Sequence, residues 1–343
     1  MRNGKPHCSA EVLTHWRQLL GLSFLICCFS LSPVGAQTSL TLVELNCENL
    51  FDCVHDTLKQ DYEFLPDAGR KWTPQRYWRK LNNIGREILS CSPDTLSFQL
   101  PDLVALCEVE NDSVVHHLTR RSLLRQAGYD YIVTNSPDER GLDVALFYQP
   151  FSFAPVRSCA LRIEPLPGMR PTRDILYVAG RIMTGDTLHV FVVHAPSRYG
   201  GERASRPFRM HVAHRLMQAV DSLRAVSPAA PVVVAGDFND YAGDASLDFL
   251  ERSGLIDVSR TATGTHGARG TYCFQGFWGS LDHVLASPSL AAVVDTCYVN
   301  DAPFLMEEDP RYAGLRPRRT YQGFRYQRGY SDHLPLVIRF RWE

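Results

Sequence analysis

The sequence lacks a hydrophobic run long enough to cross a bilayer comfortably, and its longest apolar stretch lies near the beginning. Residues 19–31 are nearly all apolar, whereas a transmembrane helix needs roughly 20 such residues. Three basic residues precede the stretch, and the small residues Val34 and Ala36 follow it. This order is typical of a secretory signal peptide. We therefore predict that residues 1–36 are a signal peptide, with an uncleaved membrane anchor as the alternative.

The remaining residues, 37–343, lack any repeat, coiled coil or linker rich in Pro, Gly and Ser. They are therefore expected to form one domain. We expect this domain to be an exported monomer, in the periplasm, on the cell surface or in the medium, with no stable membrane span. No two cysteines have the CxxC spacing of a zinc site. Seven cysteines follow residue 36, so an exported chain keeps at least one of them unpaired.

An excess of positive charge is also missing, because 36 Lys and Arg face 37 Asp and Glu. Removing residues 1–36 takes away three basic residues and one acid, which leaves a net charge of about −3. This excludes a nucleic-acid footprint over the whole molecule. One stretch is nonetheless basic and contains no acid: its arginines are Arg311, Arg316, Arg318, Arg319, Arg325 and Arg328. It is either a local patch for a phosphate or polyanion, or a solvated loop that pairs with the acids at 307–309.

What the sequence does contain is a series of short, β-branched apolar runs bounded by turn residues, which predict about ten strands. Helical spacing predicts helices at 74–89 and 207–226. Strands that are apolar on both faces need cover on both faces, so two stacked sheets flanked by helices fit better than one parallel sheet. The predicted strands are 40–45, 103–107, 131–134, 144–148, 176–182, 188–194, 232–235, 284–286, 292–298 and 336–340.

Polar residues cluster at the ends of several of these runs. The hard oxygen donors among them are Asn46, Glu108, Asp237, Asn239 and Asp332. Carboxylates at strand ends are able to converge on a groove while the sheets hold them rigid. Oxygen ligands of this kind suit Mg²⁺ or Mn²⁺ together with a substrate phosphate.

Two histidines stand beside these donors and offer acid, base or phosphate contacts. His333 follows Asp332, and Asp282 is the acid predicted to orient its ring. His194 ends another apolar run, and Asp143 is the acid predicted for it. Because an unpaired buried carboxylate is costly, Asp143 is expected to pair either with His194 or with Arg140.

The order of these motifs resembles the endonuclease/exonuclease/phosphatase family, which includes deoxyribonucleases, abasic-site endonucleases, sphingomyelinases and inositol-polyphosphate phosphatases. The similarity spans nearly all of residues 37–343. It implies a four-layer α/β sandwich and metal-dependent hydrolysis of a phosphoester by in-line attack of water. The matching motifs are Asn46 with Asn49-Leu50-Phe51, Glu108-Val109, His194-Ala195-Pro196-Ser197-Arg198, Gly236-Asp237-Phe238-Asn239, Leu281-Asp282-His283 and Ser331-Asp332-His333.

The resemblance also implies roles for individual residues. Asn46 and Glu108 are similar to metal contacts of the family, and Asp332 to an outer metal contact. Asp237 would orient or deprotonate the attacking water, and Asn239 would hold the phosphate.

The histidines complete the set implied by the resemblance. His333, paired with Asp282, would bind and polarise the phosphate. His194 resembles the histidine of the deoxyribonuclease and sphingomyelinase branches, whereas the abasic-site branch commonly has a tyrosine near that place. This departure and the predicted export argue against abasic-site repair.

Our first prediction for the function is an exported nuclease or phosphodiesterase acting on DNA or RNA. The second is a phosphatase or lipid phosphodiesterase of the inositol-phosphate or sphingomyelin type. A phosphate-binding module without turnover would be expected to have lost metal or histidine positions, and none is missing. Arg140 and Arg198 are predicted either to contact the substrate phosphate or to form surface ion pairs.

Overall fold

The computed structural model describes residues 39–92 and 99–342. They belong to one compact unit, Thr38–Glu343. The predicted signal peptide lies outside the described residues. None of the helices in the described ranges combines the length and hydropathy that crossing a membrane requires.

Eighteen strands run through the described part of the chain, and ten of them coincide with the predicted runs. Numbered along the chain, they are β1 Ser39–Leu50, β2 Leu103–Val109, β3 Asp130–Val133, β4 Asp143–Tyr148, β5 Phe153–Leu161, β6 Ile175–Ile182, β7 Thr187–His194, β8 Val232–Asp237, β9 Ile256–Asp257, β10 Tyr272–Phe274, β11 Phe277–Gly279, β12 Asp282–Ala286, β13 Val294–Val299, β14 Met306–Glu308, β15 Leu315–Pro317, β16 Tyr321–Gln322, β17 Arg325–Tyr326 and β18 Leu336–Arg341.

The α-helices of the described residues are α1 Pro74–Leu89, α2 Asp112–Arg121, α3 Glu202–Val226, α4 Ala245–Arg252 and α5 Pro288–Ala291. Helix α1 has the predicted limits, and Pro74 occupies its first turn, where no N–H is needed. Thr73 precedes it, but its side chain makes no capping hydrogen bond. Helix α3 begins five residues before the predicted start, so Pro207 lies inside it. Helix α2 was not predicted, although Asn111 caps it by accepting a hydrogen bond from the Val114 N–H.

Twelve of the strands form two mixed sheets of six strands each. The first sheet has the order β13-β18-β1-β2-β4-β3, and the second has the order β5-β6-β7-β8-β12-β9. In each sheet one pair is parallel, β1 with β2 and β7 with β8. The carboxyl ends of these parallel strands therefore lie at one edge of their sheet, where the predicted site residues Asn46, Glu108, His194 and Asp237 occur.

Three apolar cores show how the sheets and helices are layered. Along β1, Leu42 belongs to a core shared by both sheets, whereas Val43 belongs to a core with α1 and α2. A third core joins the second sheet to α3 and α4. The layers are therefore helices, sheet, sheet and helices. This confirms the predicted α/β architecture of two stacked mixed sheets flanked by helices.

Strand β5 was missed because it does not look like a buried strand. It lies at the edge of the second sheet and pairs only with β6. Most of its side chains are at least partly exposed, and Pro155 interrupts its pattern. An edge strand tolerates proline because one side of it needs no ladder hydrogen bonds.

The basic stretch forms small hairpins rather than a free loop. Strand β15 pairs with β14, and β16 pairs with β17. Arg316 Nε donates to Glu307 Oε1 at 2.9 Å, which is one of the ion pairs expected for a solvated loop. Below this region, Lys80 of α1 is completely buried and donates to Thr320 Oγ1 at 2.6 Å. A buried lysine therefore ties the backbone around Thr320 to α1.

Glu87 of α1 gives the fold a testable pH dependence. Its side chain is fully buried, and neither carboxyl oxygen has a hydrogen-bond partner among the residues described. Burial raises the pKa of Glu87 from 4.5 to about 8. The folded state therefore holds a proton that the unfolded state loses, and the contribution of Glu87 to stability declines as the pH rises from 4.5 to 8.

Replacing Glu87 with glutamine removes this titration. We expect E87Q to be more stable than the wild type by about 3 kcal/mol at pH 7 and equal to it below pH 4.5. Urea unfolding at several pH values measures the difference. The same change at the exposed Glu63 is the control and should have no such pH dependence. An E87Q variant that is less stable than the wild type at pH 7 would contradict a neutral buried Glu87.

Candidate active site

A hydrogen bond between the two sheets lies at the centre of the site. Asn46 near the end of β1 donates from Nδ2 to Asp237 Oδ2 at the end of β8, at 3.0 Å. Asn46 Oδ1 accepts from the Glu48 N–H at 2.9 Å, so the amide is held at both ends. Both Asn46 and Asp237 are buried. The site therefore depends on the packing of one sheet against the other.

Glu108 enters the site through an irregularity in β2. Its φ is +62°, and the register of β2 against β4 shifts between Cys107 and Val109. A bulge of this kind re-aims a side chain at the end of a strand. Glu108 Oε2 accepts from the Asn49 N–H at 2.7 Å, and Oε1 lies 3.8 Å from His194 Nε2. The Glu108 carboxylate thus faces the space in front of His194.

The segment after β8 places Asp237 and Asn239 side by side. Asp237 Oδ1 accepts from the Asn239 N–H at 2.8 Å, and Asn239 has a φ of +52°, which asparagine tolerates better than most residues. Asn239 Nδ2 donates to the Ala195 carbonyl at 3.1 Å. Burial and the nearby Asp282 raise the pKa of Asp237 to about 7. At that value its carboxylate is suited to accept a proton near neutral pH.

Gly236 is required at the step before Asp237. Its φ is +153°, and a Cβ at this position would lie 1.8 Å from the Val193 carbonyl oxygen of β7. The strand therefore needs glycine both for its backbone conformation and for the close approach of β7.

We expect Gly236→Ala to lower the free energy of unfolding by about 3 kcal/mol or more, because it combines strain with a clash against the backbone. Gly185→Ala is the matched control, since Gly185 also has a positive φ but has open space around it. Denaturant unfolding of both variants separates the clash from the strain. Equal losses in the two variants would mean that the contact with Val193 is unimportant.

His333 is held by a buried carboxylate. Its Nδ1 lies 2.7 Å from Asp282 Oδ2, which also accepts a hydrogen bond from Thr271 Oγ1. Burial opposes the charged ring, but Asp282, Asp237 and Asp332 outweigh it and raise the pKa of His333 well above its ordinary value. The predicted pairing of His333 with Asp282 is confirmed. The protonated ring is placed to stabilise negative charge on a phosphate.

The structure corrects the predicted pairing of His194. Asp143 accepts hydrogen bonds from Thr134 Oγ1 at 2.5 Å and from the Ser136 N–H at 2.9 Å. It therefore bonds neither to His194 nor to Arg140, and it supports the β3–β4 connection instead. The His194 Nδ1 atom has no hydrogen-bond partner in the described ranges.

His194 itself lies inside the predicted group. Its Nε2 is 3.7 Å from Asp237 Oδ2, beyond hydrogen-bond distance. Burial, followed by the charges of Arg173 and Arg140, lowers the pKa of His194 well below its ordinary value. The ring is therefore neutral at pH 7, and its tautomer decides which nitrogen donates.

Asp332 stands at the rim of the group and is paired with a cation. Its Oδ2 accepts from Arg319 Nη2 at 2.7 Å, and Arg319 also lies 3.5 Å from Glu48. Burial opposes ionisation of Asp332, but the charges of Arg319, His333 and Lys80 lower its pKa below the ordinary value. Asp332 therefore carries a negative charge at neutral pH.

The two arginines predicted to bind substrate have different surroundings. Arg198 Nη1 lies 2.9 Å from Asp244 Oδ2, and its guanidinium stacks on Tyr241 at 4.9 Å from the ring centre. This is the ion pair expected as the alternative for Arg198. Arg140 lines the same cavity as His194 and His333, and no hydrogen bond or ion pair joins its guanidinium to the residues in the described ranges. Contact of either arginine with substrate stays a prediction.

The donor chemistry of the group fits a hard divalent cation. Ligand atoms of Asp237, Asp282 and His333 lie within 4.8 Å of one another. However, Asp282 and His333 are bonded to each other, which leaves them less suited as ligands. Oxygen atoms of Glu108, Asn46 and Asp332 would hold Mg²⁺ or Mn²⁺, which prefer one or two carboxylates and keep water and phosphate ligands.

One cavity of about 710 Å³ is lined by Glu108, His194, Asp237, Asn239, Asp332 and His333. Its lining includes the β3–β4 connection around Arg140, which was predicted as a substrate contact. It also includes the β5–β6 connection around Arg173, which sequence reasoning did not connect with the site. The only sequence signal for Arg173 is its place just before the predicted strand at 176–182, which resembles the other strand-end positions but precedes its strand.

A family model described as the endonuclease/exonuclease/phosphatase family matches residues 41–342. The chain belongs to this family. This confirms the resemblance inferred from the motifs. No curated protein matches the chain significantly.

Solved structures of family members share the fold at low sequence identity. An endonuclease/exonuclease/phosphatase family protein of Bacteroides thetaiotaomicron is 17% identical, covers 89% of this chain and 99% of its own, and has a TM-score of 0.58. A mannosyl-6-phosphatase of the same organism is 17% identical, with coverage of 87% and 98% and a TM-score of 0.58. D. rerio TDP2 complexed with single-strand DNA product is 17% identical, with coverage of 89% and 100% and a TM-score of 0.54.

Proposed function

We propose that the protein is an exported, metal-dependent hydrolase of phosphoesters that uses Mg²⁺ or Mn²⁺. The observation that carries the proposal is the hydrogen bond between Asn46 and Asp237, because it joins the ends of two sheets beside the paired His333 and Asp282. Family membership supports the reaction class. Bound at Glu108, Asn46 and Asp332, the metal would supply charge stabilisation to the phosphoryl oxygens.

The side chains of this protein supply the rest of the chemistry. Asp237 would orient the attacking water and accept its proton, which its pKa of about 7 allows. Asn239 would position the phosphate through an N–H of its amide that does not bond to Ala195. Protonated His333 would donate from Nε2 to a phosphoryl oxygen, since Nδ1 is held by Asp282.

The cavity favours a compact phosphoester over a long nucleic acid. A nucleic acid would bind the basic stretch that contains Arg311–Arg328, but Arg319 of this stretch is paired with Asp332, and the neighbouring Tyr321 and Tyr330 are buried. A volume of about 710 Å³ is typical of a small-molecule site. We therefore place the phosphatase alternative first.

A nuclease is the second candidate function. Arg311 stacks on the partly exposed Tyr312 at 5.1 Å, and Phe324 is exposed in the same region. Arginine and aromatic surface of this kind suits single-stranded nucleic acid. The complex of D. rerio TDP2 with a DNA product shows that the fold accommodates such a ligand in that protein.

Hydrolysis assays test the proposal directly. The protein is incubated with Mg²⁺, Mn²⁺ or EDTA and offered sugar phosphates, inositol phosphates, sphingomyelin, bis(p-nitrophenyl) phosphate, RNA and plasmid DNA. We expect turnover of small phosphoesters that EDTA abolishes. Nicking of DNA without turnover of small esters would favour the nuclease, and EDTA-resistant hydrolysis would contradict the metal-dependent mechanism.

A further inference from the structure

Two loops that line the cavity place three arginines beside it. Arg140 lies in the β3–β4 connection, and Thr172, Arg170 and Arg173 lie in the β5–β6 connection. All four line the cavity that contains His194 and His333. We call these four residues the arginine wall.

Arg173 is fixed in this wall by its neighbours. It is 7% exposed, and its Nη1 lies 3.1 Å from Asp138 Oδ2. Its Nη2 donates to the Ala195 carbonyl at 2.8 Å, the same oxygen that accepts from Asn239 at 3.1 Å. The guanidinium therefore lies next to the amide that is proposed to position the scissile phosphate.

Two buried polar atoms of the wall, Arg173 Nε and Thr172 Oγ1, have no hydrogen-bond partner among the described residues. Thr172 is 3% exposed, so both residues are more than nine-tenths buried. Leaving such atoms unpaired costs free energy, and native structures pair nearly all of them. Both residues line the cavity, so its wall contains polar groups that the described residues leave unsatisfied.

The other two arginines of the wall, Arg140 and Arg170, are exposed. Neither has an ion pair or side-chain hydrogen bond with another residue in the described part of the chain. The acids that line the cavity are Glu63, Glu108, Asp138, Glu139, Asp237 and Asp332. Only Asp138 and Glu139 of these belong to the two connections that form the wall, and Asp138 is paired with Arg173. The wall therefore keeps a net positive charge.

We propose that the arginine wall binds a second anionic group of the substrate, a phosphate or a carboxylate, beside the phosphoester that is hydrolysed. The guanidinium groups match the paired oxygens of such anions. The reaction centre already has donors for the scissile phosphate in Asn239 and His333, so the wall is available for another group. This inference rests on the proposed function and narrows its substrate class to compact phosphoesters with two anionic groups.

Binding of inorganic phosphate to the metal-free protein tests the wall independently of turnover. Without metal, the carboxylates of Glu108 and Asp332 disfavour anions at the reaction centre, and variants of Arg140 and Arg170 assign the binding to the wall. Isothermal titration calorimetry should show one phosphate bound by the wild type. Arg170→Gln and Arg140→Gln should each weaken the affinity at least tenfold.

The variants test exposed arginines, because unfolding of a variant would also abolish phosphate binding. Arg173→Gln leaves Asp138 buried without its partner and is at risk of unfolding, whereas Arg140 and Arg170 are exposed. Arg252→Gln in α4 is the matched control, because this exposed arginine lies outside the cavity. It should bind phosphate like the wild type. Unchanged affinity in both wall variants, or no phosphate binding by the wild type, would overturn the proposal.

A substrate series then tests the class of substrate. Alkanediol bisphosphates with two to six carbons are compared with alkyl monophosphates of the same length, using the Mg²⁺-loaded protein. At least one bisphosphate should have a kcat/KM tenfold or more above that of its monophosphate, and Arg170→Gln should reduce this ratio. Turnover of all esters without any preference would overturn the wall and leave the proposed function intact. Phosphate binding by the wall without turnover of any ester would support the wall and overturn the proposed function.

Discussion

Replacing Asp237 with asparagine is expected to lower kcat by about a thousandfold, within the range that a positioned general base contributes. The carboxylate is buried, its pKa is about 7, and it lies between Asn46 and Asn239. An amide at this position neither accepts a proton nor attracts a cation. Steady-state hydrolysis of the best small phosphoester, with the variant and wild type at equal metal concentration, measures the loss.

A swapped pair of side chains controls for damage to the fold. Asp237 accepts two hydrogen bonds, and asparagine would turn one of its acceptors into a donor, at a cost of about 1–3 kcal/mol. In the double variant Asn46→Asp with Asp237→Asn, the new carboxylate accepts from the new amide, and the net charge is unchanged. We expect stability to recover and activity to stay low. Recovery of activity in the double variant would contradict the role of Asp237.

The second large effect is expected from Asp282→Asn. Asp282 raises the pKa of His333 well above its ordinary value, so the ring is protonated through neutral pH in the wild type. Without this charge, burial is opposed only by the charges of Asp237 and Asp332, so the pKa of His333 falls. We expect kcat to decrease by about a hundredfold to a thousandfold, as when a donor to a developing negative charge is lost.

The pH profile distinguishes this effect from simple disruption. Because the variant loses the protonated ring as the pH rises, its loss of kcat should be larger at pH 8 than at pH 6. Asp257→Asn is the matched control, since Asp257 pairs with His283 at 3.0 Å in a buried pair outside the cavity. The control should keep the wild-type profile. A pH-independent loss in Asp282→Asn would indicate that Asp282 acts only through structure.

The strand-end residues were predictable because strand ends are fixed by local patterns. Apolar runs locate β1, β2 and β8, and the polar residues after these runs then lie at the edge of a sheet. Asp282 and His333 instead precede the runs of β12 and β18. The buried pairing of Asp282 with His333 followed from the same reasoning. The layers also followed, because strands that are apolar on both faces require cover on both faces.

What the sequence did not reveal depends on the paths of loops. Asp143 was expected to form a hydrogen bond with His194. Its carboxylate instead accepts hydrogen bonds from Thr134 and Ser136, which lie across the turn from it and are closer. Arg173 gained its place only through contacts with Asp138 and Ala195, which are distant in sequence. Such side-chain pairings leave no periodic signal.

Strand β18 lies between β13 and β1 in the middle of the first sheet, although it is the last strand of the described residues. His333 precedes it by three residues, and Asn46 stands on its neighbour β1. During synthesis, one side of β1 therefore stays unpaired until a strand far along the chain has been translated. Nascent or truncated chains that lack β18 should be inert toward phosphoesters, because the site assembles only after β18 has docked.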